Sequence, residues 1–165
     1  MSQVYIRDAV INDVPLIYQF INALAVYEKE PDAVVATEAD IERTLFSEGA
    51  TAHSVICFDS DAHDAQAIGF AVYFYNYSTW LGRNGLYLED LFVNEDQRGK
   101  GAGKALMQFL ARRAVEKQCG RFEWVVLDWN KPAIDFYHSI GAKPQDEWII
   151  YRLDGDELQQ FAEQK

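Results

Sequence analysis

Apolar residues recur along the chain with two different periods. At Val14, Ile17, Ile21, Leu24 and Ala25 the spacing is helical, and the Asn12-Asp13 pair just ahead offers an N-cap. This predicts a helix that fades near Tyr27 and Glu28. A shorter helix is predicted after Thr37, which forms a capping-box-like pair with Asp40 ahead of Ile41, Leu45 and Phe46, with Gly49 as its stop. The period then shortens. Val4 to Arg7, His53 to Phe58, Ile68 to Tyr77 and Leu86 to Val93 are rich in β-branched and aromatic residues and read as strands. Helical spacing returns at Leu106, Met107, Leu110, Ala111, Ala114 and Val115, with Gly120 placed to end that helix. Glu123 to Leu127 and Trp148 to Leu153 are further predicted strands, Pro132 opens a short helix through Tyr137 that Gly141 ends, and Asp154 to Lys165 predicts a terminal helix. The order βααβββαβαβα predicts a single-domain α/β (α+β) fold over residues 1–165.

Composition agrees with one domain. The 165 residues are 49% hydrophobic, enough for a core that needs neither disulfides nor a structural metal. Cys57 and Cys119 form no CxxC pair, and His53, His63 and His138 have no metal-ligand spacing, so no metal is expected and both thiols read as core or near-core groups. A charge of −11 disfavours a nucleic-acid backbone binder and suits a cationic small substrate. No signal segment and no apolar run of membrane-spanning length occur, so a cytoplasmic protein without a membrane partner is expected.

One stretch carries chemistry outright. Arg98, Gly99, Lys100, Gly101, Ala102, Gly103 and Lys104 place three glycines and three cations between a strand and a helix N-terminus, where unobstructed backbone N–H groups and the helix dipole attract an anion. A Walker A loop fails because Ala105 follows Lys104, and a dinucleotide fingerprint fails because the third glycine comes too early.

Arg98-x-x-Gly101-x-Gly103 after Leu91-Phe92-Val93 resembles the pyrophosphate loop of the GNAT superfamily of N-acetyltransferases. Tyr87-Leu88-Glu89-Asp90, Leu127-Asp128-Trp129-Asn130, Ala133-x-x-Phe136-Tyr137 and Gly141-Ala142 extend the likeness over nearly the whole chain. With Ala25-Val26-Tyr27-Glu28 and Tyr77-Ser78-Thr79-Trp80, they resemble the spermidine/spermine (diamine) acetyltransferase branch and its thialysine acetyltransferase subgroup. The resemblance implies a mixed central sheet with two parallel strands splayed apart, flanked by helices, and acetyl-CoA as co-substrate. Its pyrophosphate would lie on the backbone of Gly99 to Lys104, with Arg98 beside it. Its pantetheine arm would run along Leu91, Phe92 and Val93, with Asn130, Ala133 and Tyr137 as further contacts. A homodimer is the assembly common in the family.

The resemblance also implies direct attack of an amine on the thioester. An alkylamine with a pKa near 10.4 is only about one part in 2,500 neutral at pH 7, roughly 4.6 kcal/mol of barrier unless the proton is removed. Glu89 is the implied base, acting through water, and Tyr137 the acid that protonates the departing thiolate. Tyr27, Glu28, Glu89, Asp90, Glu123, Trp124 and Val125 match substrate-contacting positions. Glu89 and Asp90 point to opposite faces of a regular strand, so both can meet one substrate only if a bulge interrupts it. Ser78 stands where polyamine acetylators of this branch carry Asp, which weakens the match to long polyamines, and Asp146 or Glu147 could supply another substrate-site acid, or neither. Other amines (an aminoglycoside, a protein N-terminus) and a non-catalytic CoA-binding module are the alternatives.

Overall fold

The computed structural model describes residues 4–164. It divides into two compact units, Met1–Val125 and Val126–Lys165. In the first, β1 (Tyr5–Asp8), β2 (Ala52–Phe58), β3 (Ala67–Ser78), β4 (Arg83–Val93) and β5 (Phe122–Glu123) form one sheet in that spatial order. The first three pairings are antiparallel and β4 with β5 is parallel.

Side-chain alternation sends β2 and β3 residues to opposite faces. On one face Ile56, Phe70 and Phe92 meet Val14, Ile17, Phe20 and Leu24 of α1 (Val14–Tyr27) and Ile41 of α2 (Glu38–Phe46). Phe20 and Phe70 stack with centroids 5.3 Å apart. The other face carries α3 (Ala102–Glu116), whose Leu106, Met107, Leu110 and Ala114 are buried. Arg113 fastens the far end of α3 to the sheet by donating to Asp8 on β1 and to the Tyr73 hydroxyl at 2.6 Å. The helices begin much as the periodicity predicts, and the Thr37–Asp40 capping box is present, with Thr37 Oγ1 accepting from Asp40 N at 3.3 Å. Asp13 precedes α1 but does not cap it with its side chain. Its carboxylate accepts from Arg7 Nη1 at 2.6 Å and from Val10 N at 2.7 Å.

The second unit contains α4 (Lys131–Ser139) and α5 (Gly155–Glu163). Asn130 Oδ1 caps α4 by accepting from Ala133 N at 3.4 Å, and Gly141, at φ 86°, ends it with Ala142 N donating to Tyr137 O.

Three expectations need correction. Of the predicted Glu123 to Leu127 strand only Glu123 lies in a ladder, joined there by Phe122 just before it, and Trp148 to Leu153 form no strand among the described residues. Both runs have the composition of a strand, but that composition describes how side chains suit a pleated surface and supplies no partner. Gly120 does not end α3. Lys117 is its C-cap and Gln118, at φ 56°, takes the left-handed position, with Cys119 N closing back on Ala114 O at 2.8 Å. Gly120 instead serves a close approach, since a Cβ there would stand 2.5 Å from Leu81 Cδ1.

Candidate acetyl-transfer site

The glycine-rich loop joins a 3-10 turn at Glu95–Gln97 to α3. Gly99 and Gly101 sit at φ 74° and 92°, conformations that side chains resist, and Gly101 is the N-cap of α3 with no side-chain hydrogen bond. The first N–H groups of α3 therefore lack the cap that would normally satisfy one of them. Gly103 needs no unusual backbone, and a Cβ there would meet nothing within 4 Å, as at Gly99 and Gly101. A glycine inside a helix costs about 0.5–1 kcal/mol relative to alanine. No contact within the chain repays that at Gly103, so the open space fits a ligand that approaches the backbone closely. Lys104 is exposed and makes no hydrogen bond or ion pair among the described residues, while Lys100 Nζ donates to Gln97 Oε1 at 3.2 Å.

Upstream, the strand that feeds this loop changes phase once. Val72 pairs with Asp90 but Tyr73 pairs with Leu88, so Glu89 is an extra residue, the bulge that the two adjacent acids require. It has two consequences. Before the bulge, Leu86 N donates to Arg121 O on the β5 side. After it, Asn94 N donates to Ile68 O on β3, so by strand alternation the N–H and C=O groups of Leu91 and Val93 point away from β3. Parallel pairing with β5 stops at Tyr87–Glu123, so this side of Leu91 and Val93 has no strand partner among the described residues, although Val93 O accepts from Arg98 Nε. The splay implied by the family resemblance thus begins here.

The second consequence is electrostatic. Asp90 lies two residues from Phe92 on the α1-facing side of the sheet, toward Tyr27 and Glu28 at the end of α1. Its carboxyl is pushed up to about 6 by burial first, then by the charges of Glu89 and Glu28. Burial also raises Glu28. Asp90 thus feels both neighbouring carboxylates, which makes a place where a cation is favourable.

Several of the predicted residues also make contacts within the chain. Arg98 is exposed but lies against β4 and α1, with Nε donating to Val93 O at 2.9 Å and its guanidinium 4.4 Å from the Tyr27 ring centroid and 5.3 Å from that of Phe92. Glu123 is already engaged, since its Oε1 lies 2.6 Å from Arg121 Nε and accepts from Asn76 Nδ2 at 3.2 Å. Trp124 packs edge-on against Phe122 at 5.0 Å, and Val125 is exposed. Sequence reasoning does not single out Tyr87, which shares the α1-facing side of β4 and whose phenol is raised by burial and by the charges of Glu89 and Glu123. Its place beside Glu89 in one strand was the available signal. In the second unit, Asn130 and Ala133 form the α4 cap, and Tyr137 is half-buried with its ring 5.6 Å from Phe136. Asp146 and Glu147 are exposed there.

A family model described as the acetyltransferase (GNAT) family matches residues 18–142. The chain belongs to that family. This GNAT protein is 34% identical to the thialysine N-epsilon-acetyltransferase of Sus scrofa, over 98% of this chain and 99% of the relative. It is also 34% identical to the L-ornithine N5-acetyltransferase NATA1 of Arabidopsis thaliana, over 93% of this chain and 86% of that one. Among solved structures, an integron cassette protein from the mobile metagenome of V. cholerae matches with a TM-score of 0.79 and 32% identity, covering 99% of both chains. The fold class expected from the sequence is therefore that of this family, and the protein is an acyltransferase of GNAT type. None of the described helices is long and apolar enough to cross a membrane.

Proposed function

We propose that the whole chain acts as one N-acetyltransferase domain that moves the acetyl group of acetyl-CoA to the primary amine of a small cationic molecule, a diamine or a thialysine-, ornithine- or lysine-like compound. The observation that carries this reading is the single extra residue Glu89, which gathers the carboxylates and at the same time frees the edge of β4. The names of the relatives support the amine class, and the match of one family model across residues 18–142 supports a single functional domain.

The residues fit the co-substrate. The open glycines and the uncapped α3 N-terminus suit a pyrophosphate, with exposed Lys104 as an adjacent cation. Leu91 and Val93 offer backbone groups to a pantetheine arm, with Asn130 and Ala133 as further candidates. When bound, acetyl-CoA supplies an activated acyl thioester. Glu28 and Asp90 hold the cationic end of the amine, and Glu89, exposed at the bulge, takes the proton from the attacking nitrogen through water. Tyr137 holds a phenolic proton for the thiolate, whose basicity is close enough for transfer.

Ser78 narrows the substrate. It is buried, and its Oγ accepts from Leu81 N at 3.2 Å within the β3–β4 turn, so it shapes the hairpin instead of holding a charge. Short diamines and amino-acid side chains are expected to outperform spermidine in kcat/KM. The test is thiol release from acetyl-CoA with purified protein and a panel of diamines, ornithine, thialysine, spermidine and an aminoglycoside. Saturable CoA binding without thiol release for any amine would refute an enzyme. Tyr137→Phe should lower kcat with little change in the acetyl-CoA KM, and an unchanged kcat would return Tyr137 to a packing role.

A further inference from the structure

Arg98 occupies the first position of the anion loop, yet its side chain reaches out of the loop in two directions. Nε grips Val93 O on the open edge of β4, and the guanidinium lies between Phe92 and Tyr27. Tyr27 is the last residue of α1, next to Glu28. Beyond it the helix closes with Lys29 at φ 66°, an unusual position for a lysine, with Lys29 N donating to Val26 O at 3.1 Å and Glu30 N to Ala25 O at 2.9 Å. One residue thus touches the strand edge proposed for the cofactor arm, the loop proposed for its phosphates, and the helix end that carries an acid of the amine site.

We propose that Arg98 is a positioning residue that links the anion loop to the end of α1, so that phosphate bound in the loop orders Tyr27 and Glu28 for the amine. The inference rests on the acetyl-CoA reading above. Its physical basis is shared ordering. Gly99, Gly101 and Gly103 leave the free loop a wide conformational choice, which a bound anion removes. Arg98 shares that backbone, so its guanidinium is held more firmly on the Tyr27 ring, and the helix end loses freedom with it. The amine then meets a site whose ordering cost has been met in part, and by linkage the amine strengthens CoA binding by the same factor. The contact needs a planar cation and a ring. Lysine keeps the charge but loses the flat face and the fixed N–H geometry, whereas phenylalanine keeps the ring of Tyr27.

The test is amide hydrogen exchange, followed by mass spectrometry on peptides covering 24–30 and 97–106, with and without saturating CoA. It needs neither an amine nor turnover. In the wild type CoA should slow exchange in both peptides, by about fivefold or more at the α1 end. Arg98→Lys and Tyr27→Leu should retain protection of the loop and lose it at 24–30, and Tyr27→Phe should retain both. Loop protection without α1 protection in the wild type, or α1 protection that survives in Arg98→Lys and Tyr27→Leu, overturns the link while leaving the CoA reading intact. No loop protection in the wild type overturns the CoA reading and the link with it.

Discussion

Replacing Asp90 by asparagine should make the protein more stable at pH 8 and leave it nearly unchanged at pH 4. The Asp90 carboxyl ionises near 3.8 in an unfolded chain and about 6 in the folded one, raised by burial and by the Glu89 and Glu28 charges. The sign follows from that direction. Below about pH 3.8 the group is protonated in both states and costs nothing. Between 3.8 and 6 the unfolded chain releases the proton and the folded one keeps it, so folding loses stability as pH rises, and above 6 the loss is complete. A shift of this size corresponds to roughly 3 kcal/mol. Solvent at the open edge screens part of it, leaving about 2 kcal/mol. For a chain of this length that is about 4–8 °C in Tm. Asparagine keeps the shape and removes the charge, so calorimetry at pH 8 should show the gain and at pH 4 should not. A cationic amine substrate should narrow the difference at pH 8, because it neutralises the carboxylate only in the wild type. Equal Tm changes at both pH values, or a loss at pH 8, would refute the account.

Two further changes separate what the backbone does from what side chains do. Deleting Glu89 restores regular alternation between β4 and β3, which turns the Leu91 and Val93 groups toward β3 or Phe92 out of the α1-side core. With about 1 kcal/mol lost for each of two hydrogen bonds, the CoA Kd should rise about thirtyfold. Glu89→Gln keeps the bulge and should leave the CoA Kd near that of the wild type while slowing turnover most at low pH; calorimetric titration distinguishes the two variants, and equal CoA affinity in both would sink the parity argument. Gln118→Gly should raise Tm by about 1–4 °C. It removes a left-handed strain of about 1–2 kcal/mol and returns part of it as unfolded-chain entropy. A lower Tm for Gln118→Gly would show that its side chain earns its place.

What the sequence made legible follows from how local each cause is. The helices at Val14, Glu38 and Ala102 and the long strands are written in periodicity, because burying one face of each element sets that period. The glycine loop was equally plain, since its conformation and its chemistry are both properties of the same short segment. The bulge was legible from the adjacent acids Glu89 and Asp90, which a regular strand sends to opposite faces, and the apolar phase carries a second conflict. Leu86, Leu88 and Phe92 continue one alternating apolar phase, and Asp90 stands in that phase as a charge. A regular strand would place it in an apolar row, and one inserted residue resolves this by moving Asp90 and Phe92 to the α1 side while Leu86 and Leu88 stay on the α3 side. Partners remote in sequence were not legible. Nothing near Arg98 says that its guanidinium will lie on Tyr27, and nothing near Glu123 names Arg121 and Asn76 together as its hydrogen-bonding partners.

Those remote partners change how the charges should be understood. The loop was expected to hold its anion on backbone N–H groups with three cations beside them, but Arg98 is turned onto β4 and α1 and Lys100 lies on Gln97, which leaves Lys104 as the free ammonium among the described residues of the loop. Most of the attraction must then come from backbone N–H groups, and backbone groups act only at short range and only if no side chain intervenes. That requirement accounts for glycine at 103, where the helix alone would favour alanine and where no neighbour within 4 Å would resist a Cβ. On the amine side the logic is reversed. There the charge is carried by side chains, Glu28, Glu89 and Asp90, and burial first, with the neighbouring charges adding to it, makes Asp90 hold its proton to about pH 6. A cation entering that cluster relieves a repulsion the fold already carries, so part of its affinity comes from stability the empty site gives up.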